Sequence, residues 1–129
     1  MGNIGPKTYE KVCELLLRLQ ANYLAPAMHD ATTAFYKIPE NRAIADRYAI
    51  AIGSSHCEPL GLNTASEWDS KTRGEWDYVN NKAGVDRALK ERVETSAPYE
   101  NVYTLALRGL HDRAMAGSED LDARKATMQ

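Results

Sequence analysis

Three short apolar runs, each followed at once by a polar loop carrying a histidine, most limit what this chain can fold into. Ala21 to Pro26 leads to Met28, His29 and Asp30; Ile50 to Gly53 leads to Ser54-Ser-His-Cys-Glu-Pro59; Val102 to Leu107 leads to Arg108, His111 and Asp112. The last run is apolar apart from Thr104 and the Tyr103 phenol, which is how strands buried on both faces read. Helical patterns lie between the runs. Tyr9, Val12, Cys13, Leu16 and Leu19 recur at three- and four-residue spacing behind Pro6, so they share one helical face. Asn41 is placed to cap a segment reaching about Ala49, with Ile44, Ala45 and Tyr48 inward. Asn81 is placed to cap another, to about Ser96, which buries Val85, Ala88, Leu89 and Val93 and is stopped by Pro98. Ser118, with Glu119, Asp120 and Asp122 in the first turn, opens a fourth. Residues 60–80 read as irregular, an insertion of the length that usually serves function or disorder. The order helix, strand, helix, strand, loop, helix, strand, helix implies an α/β fold with a parallel sheet and helices outside it.

Composition narrows the partners. With 43% apolar and 26% charged residues, a net charge of −2 and no basic stripe, the chain offers no electrostatic reason to bind nucleic acid or an anionic membrane. No run approaches the roughly 18 apolar residues of a membrane span, and the N-terminus lacks a basic-then-apolar leader. Cys13 and Cys57 stand alone, without a C-x-x-C or a disulfide framework. Nothing marks an internal domain boundary.

The three histidines, His29, His56 and His111, each fall just past a predicted strand. In parallel α/β folds that edge is where ligands bind. Three chemistries fit these residues. His29, His56 and His111 with Glu58 and Asp112 could hold a metal in a hydrolase, although no tight ligand spacing such as H-E-x-x-H is present. Cys57 or Ser55 beside His56 could serve as a nucleophile, without a G-x-S-x-G elbow. Glu58 and Asp112 could work as a general acid and base on a glycosidic bond, which needs one carboxyl to protonate the leaving oxygen and another to activate water. The last suits the residues best and requires no cofactor. Arg108 could clamp an anionic substrate group or pair with Asp112. Trp68, Trp76 and Tyr78 could stack on sugar rings or anchor their loop to the core.

Four collinear blocks then make a family recognisable: residues 9–28 (Tyr-Glu-Lys-Val-Cys through Ala-Pro-Ala-Met), 52–60 (Ile-Gly-Ser-Ser-His-Cys-Glu-Pro-Leu), 76–82 (Trp-Asp-Tyr-Val-Asn-Asn-Lys), and 99–109 (Tyr-Glu-Asn-Val-Tyr-Thr-Leu-Ala-Leu-Arg-Gly) with Asp112 and Met115. They resemble glycoside hydrolase family 115, the xylan α-glucuronidases, and within it a Bacteroides-like subgroup. The resemblance implies that residues 1–129 are part of one (β/α)8 TIM-barrel catalytic domain of a larger, exported, often homodimeric enzyme, periplasmic or secreted. It implies release, with inversion, of glucuronic acid or its 4-O-methyl ether from xylan or glucuronoxylan oligosaccharides. By position, His56, Arg108 and Asp112 match the family's active site, with Asp112 a candidate catalytic carboxylate. Glu58, a further candidate, and Asn22 lie in family motifs. His111 and Trp76 complete the candidate substrate contacts with Arg108, His56 and Asn22, and the family's other catalytic carboxylate is expected outside residues 1–129. The chain departs from the family pattern at Ala25, at His29 and at Leu110-His-Asp-Arg113, where many members carry Trp, an aromatic and Asp-Gly-Asp-Glu. A whole barrel takes roughly 250 residues, so the 129 residues alone are expected to leave strand edges unpaired and to be inactive. The alternatives are a metal-dependent barrel hydrolase using the three histidines and a non-catalytic carbohydrate-binding remnant.

Overall fold

The computed structural model describes residues 4–106 and 108–115, with Asp122 and Lys125. Helix α1 spans Pro6–Arg18 and opens on Pro6, whose missing N–H costs nothing in a first turn. Tyr9 and Cys13 are its buried residues. Leu19, expected on the same face, is 67% exposed. The helix has ended there, and Gln20 at φ 59° turns the chain away, so Leu19 leaves the core stripe.

Strand β1, Tyr23–Leu24, is shorter than the apolar run around it. A 3₁₀ turn at Phe35–Lys37 precedes α2, Pro39–Arg47. Asn41 is not the cap: Ile38 holds that place, in the extended geometry that a following proline favours, and Pro39 starts the helix. Asn41 lies inside the first turn with no exposed surface, its Nδ2 donating to the Phe35 carbonyl at 3.0 Å.

Strand β2, Ala51–Ile52, pairs with β1 in parallel, Tyr23 opposite Ala51 and Leu24 opposite Ile52. Its other edge meets residue 101: Ile52 N–H donates to Glu100 O (3.0 Å), Val102 N–H donates to Ile52 O (2.9 Å), and one parallel bridge joins Ile52 to Asn101. The expectation of a doubly buried strand from Val102 fails beyond that bridge. Val102 is 54% and Leu105 84% exposed. Thr104 spends its polar groups on loops, its hydroxyl on Ser54 O and its carbonyl on Leu60 N–H, so no ladder continues. Leu107 lies outside the described residues.

The segment 60–80 is more ordered than its sequence suggests. After a 3₁₀ turn at Pro59–Gly61 it forms α3, Thr64–Glu67, and α4, Ser70–Arg73. The side chains of Asn63 and Asp69 cap them, accepting from Ser66 N–H and Lys71 N–H. Helix α5 is Lys82–Ser96. Asn81 precedes it as expected, but its amide donates backward to the carbonyls of Arg73 and Glu75, each at 2.8 Å, instead of capping. The expected fourth helix falls mainly outside the described residues, Ser118, Glu119 and Asp120 included; Asp122 and Lys125 are helical and ion-paired at 3.5 Å.

Two apolar clusters hold these elements. Tyr9, Cys13, Phe35, Ile44, Ala45, Ile50 and Ile52 fill the space between α1, α2 and the sheet, with Tyr9 edge-on to Phe35 at 5.0 Å. Leu62, Trp76, Val85, Ala88 and Met115 form the second, joined by Trp68, Tyr78, Leu89 and Leu110. This second cluster ties the 60–80 segment and α5 to the loop that carries Arg108 and Asp112.

Candidate functional site

Parallel pairing sends β1, β2 and residue 101 in one direction, so the chain that follows each of them emerges at one end of the sheet. A cleft of about 250 Å³ opens among those loops, lined by His29, Cys57, Glu58, Asn63, His111 and Asp112 among others. The close approach of β1 and β2 needs a glycine at 53: a Cβ there would lie 1.8 Å from Tyr23 Oη.

Glu58 forms the buried side of the cleft, only 8% exposed. The tight turn from Ser54 holds it: Glu58 N–H donates to Ser55 O (3.2 Å), Ser54 Oγ–H donates to Glu58 O (3.0 Å), and Ser55 N–H donates to Glu58 Oε2 (3.3 Å). Burial pushes its carboxyl above the usual carboxylate range, and the Glu67 charge adds to the rise. The Ser55 N–H, the Asn63 amide and the Arg92 charge oppose it.

Asp112 occupies the exposed rim. Its Oδ1 receives His56 Nε2 at 3.2 Å and Arg108 Nη1 at 3.2 Å. Residues from two loops thus converge on one oxygen. The loop that presents Asp112 is a tight turn: Gly109 N–H donates to Arg113 O at 2.8 Å, and His111 sits at φ 57°. Gly109 is required sterically, since a Cβ would meet Ala114 O at 2.4 Å. Below the turn, Trp76 Nε1–H donates to Arg108 O at 2.7 Å.

The predicted residues therefore separate into groups. His56, Arg108 and Asp112 form one polar cluster in which Arg108 and Asp112 are ion-paired, and Glu58, His29 and His111 line the adjoining cleft. Asn22 is not among them: it precedes β1, at the opposite end of that strand from the cleft, where its carbonyl accepts Ala51 N–H at 2.8 Å. Trp76, expected as a substrate contact, is 4% exposed and packs edge-on to Trp68 at 4.8 Å, so here it anchors its loop. His56 engages Asp112, while the Ser55 hydroxyl faces Cys57 Sγ at 2.9 Å. Among the described residues no group of three His, Cys, Asp or Glu side chains is arranged to hold a metal ion, and the three histidines do not converge as a ligand set.

Asn63 was not legible as a site residue. Its Nδ2 donates to Met28 O at 2.8 Å, tying the loop after β1 to the loop after β2, and its side chain also bonds Glu58. The signal available in sequence was its capping role, Asn63 followed by Ser66 and Glu67, which returns a bond from Asn63 N–H to Glu67 Oε2 at 3.0 Å.

The profile of glycosyl hydrolase family 115 matches residues 1–129. The chain belongs to that family. A solved structure described as a novel family GH115 4-O-methyl-α-glucuronidase with specificity for decorated arabinogalactans superposes with a TM-score of 0.90 at 46% identity, over 98% of this chain. The family 115 chain described here spans 17% of the length of that relative. A search of curated proteins gives no significant match.

Proposed function

We propose that this family 115 chain supplies strand-end loops of the active site of an α-glucuronidase, which removes glucuronic acid or its 4-O-methyl ether from a decorated polysaccharide. The observation that carries this reading is the convergence of His56 and Arg108 on Asp112 beside a cleft whose inner wall is the buried Glu58. Inverting glycoside hydrolysis needs one carboxyl that donates to the leaving oxygen, which a burial-raised pKa favours, and a second carboxylate that activates water. Glu58 suits the first role and Asp112 the second. In this reading Arg108 holds the uronate carboxylate, with His56 and His111 as hydroxyl contacts.

The parallel pairing and the helices between the strands support a further reading, that residues 1–129 lie within one (β/α)8 barrel domain of a longer enzyme. Its polymeric substrate implies an exported, periplasmic or secreted protein.

The test is the full-length enzyme on glucuronoxylan and on arabinogalactan, with released uronic acid followed by proton NMR from the first minutes. Early β-anomer supports inverting α-glucuronidase action; early α-anomer overturns the two roles assigned to Glu58 and Asp112. Asp112→Asn is expected to lower turnover by about a thousandfold with little change in melting, and activity near that of the wild type removes Asp112 from the chemistry.

A further inference from the structure

Trp76 is 32 positions from Arg108 in sequence, yet its indole N–H is bonded to the Arg108 carbonyl at 2.7 Å. The ring is 4% exposed and sits in the second apolar cluster, which also takes Leu110 and Met115 from either side of the Asp112 turn. Trp76 is itself held on both flanks. Before it, the Asn81 amide bonds the carbonyls of Arg73 and Glu75. After it, the buried Asp77 carboxylate accepts Val79 N–H at 2.8 Å and Asn80 N–H at 3.2 Å. A rigid donor therefore meets the backbone of the residue whose guanidinium touches Asp112.

We propose that Trp76 is a positioning residue: through its bond to the Arg108 carbonyl it fixes the 108–113 turn, so that Arg108 and His56 meet Asp112 on the same oxygen. The reasoning is geometric. The turn has two internal backbone bonds, Gly109 N–H to Arg113 O (2.8 Å) and Arg113 N–H to Leu110 O (3.4 Å), and the second is long. The Arg108 carbonyl and the Gly109 N–H belong to one planar peptide unit, so the Arg113 bond holds that unit from within the turn and the indole bond holds it from outside. Displacement of a reacting group by about 1 Å can cost on the order of a hundredfold in rate. The role in turnover rests on the α-glucuronidase reading, whereas the role in holding the turn does not.

Trp68 provides the control. It lies in the same cluster, edge-on to Trp76, but its indole N–H donates to Gly74 O at 3.0 Å and not to the site. The experiment compares Trp76→Phe and Trp68→Phe in the full-length protein, each keeping an aromatic ring and losing one N–H. Hydrogen exchange of the Gly109 and Arg113 amides, read by mass spectrometry, is the first measurement, and kcat and KM on a 4-O-methylglucuronide are the second. Trp76→Phe is expected to speed exchange in the turn at least tenfold and to lower kcat by about 10- to 100-fold, while Trp68→Phe moves neither and lowers only the melting temperature. Equal exchange and equal kinetic loss in both variants would overturn the proposal in favour of simple core packing. If Trp76→Phe loosens the turn but the wild-type enzyme releases no uronic acid, the positioning of Arg108 stands and the hydrolytic reading falls. Unchanged exchange in Trp76→Phe removes the positioning role whatever the enzyme does.

Discussion

Arg92 on α5 and Glu67 on α3 form an ion pair in which each side chain is only 8% exposed, and it separates cleanly into an attraction and a desolvation cost. The Arg92 guanidinium also lies 4.2 Å from the centre of the Tyr36 ring, and the second oxygen of Glu67 accepts Asn63 N–H. Arg92→Met keeps an apolar stem of similar length and strands the Glu67 carboxylate, so the expected cost is about 3–5 kcal/mol. Replacing both, Arg92→Met with Glu67→Gln, leaves a neutral carbonyl that still accepts the Asn63 bond, and the expected net loss is about 1 kcal/mol. The coupling between the two residues is that difference of about 2–4 kcal/mol plus the cost of Glu67→Gln alone. Urea unfolding of the wild type, both single variants and the double variant, followed by the fluorescence of Trp68 and Trp76, measures each corner of the cycle. A cost below about 1 kcal/mol for Arg92→Met, or a double variant no more stable than that single one, would refute the claim that the pair is desolvated. The same variant bears on the cleft. Arg92 lowers and Glu67 raises the pKa of Glu58, so removing Arg92 while Glu67 stays charged is expected to push the Glu58 carboxyl higher still.

Further substitutions test other links. Gly109→Ala drives a Cβ into the Ala114 carbonyl at 2.4 Å, so the turn must open; a loss of about 2–3 kcal/mol by thermal melting, with loss of activity, is expected. Glu58→Gln removes a carboxylate whose folded value is raised by burial. In that case the folded state binds more protons than the unfolded one as pH rises through the ordinary carboxylate range to the raised value. Stability of the wild type therefore falls across that window, and Glu58→Gln is expected to flatten the fall and to be the more stable protein at neutral pH; a steeper pH dependence would contradict it. Ala49 sits at φ 51° where α2 hands over to β2. Ala49→Gly is expected to raise stability by about 1 kcal/mol in urea titration, and a loss of that size would argue against strain at this position.

Local patterns account for much of what was legible. Three- and four-residue spacing located α1 and α5 because each helix has one face to bury, and Tyr9, Cys13, Val85 and Ala88 lie on those faces. Apolar runs between helical stretches located the parallel pairing of β1 with β2, since strands so connected cannot turn back on themselves. His56, Arg108 and Asp112 each fall where those runs stop, and the family resemblance implied them as a set. Strand ends were overextended for the same local reason: apolar character from Val102 onward says that a segment can be buried, not that a neighbour exists to pair with it. Asn41 was misread as a cap because its side chain bonds Phe35, a contact that depends on how the 3₁₀ turn meets α2.

By itself, then, the sequence determined the alternation of helices with parallel strands and the loops that line the cleft, because both follow from periodicity and from where apolar runs end. Tertiary structure alone decided that Trp76 would be spent on the Arg108 backbone, that Asn63 would bridge Met28 and Glu58, and that Glu58 would be buried while Asp112 stayed at the rim. Those outcomes join residues far apart in the chain. A hydrogen bond or a desolvated carboxyl depends on what packing brings within about 3 Å, and no spacing along the sequence carries that distance.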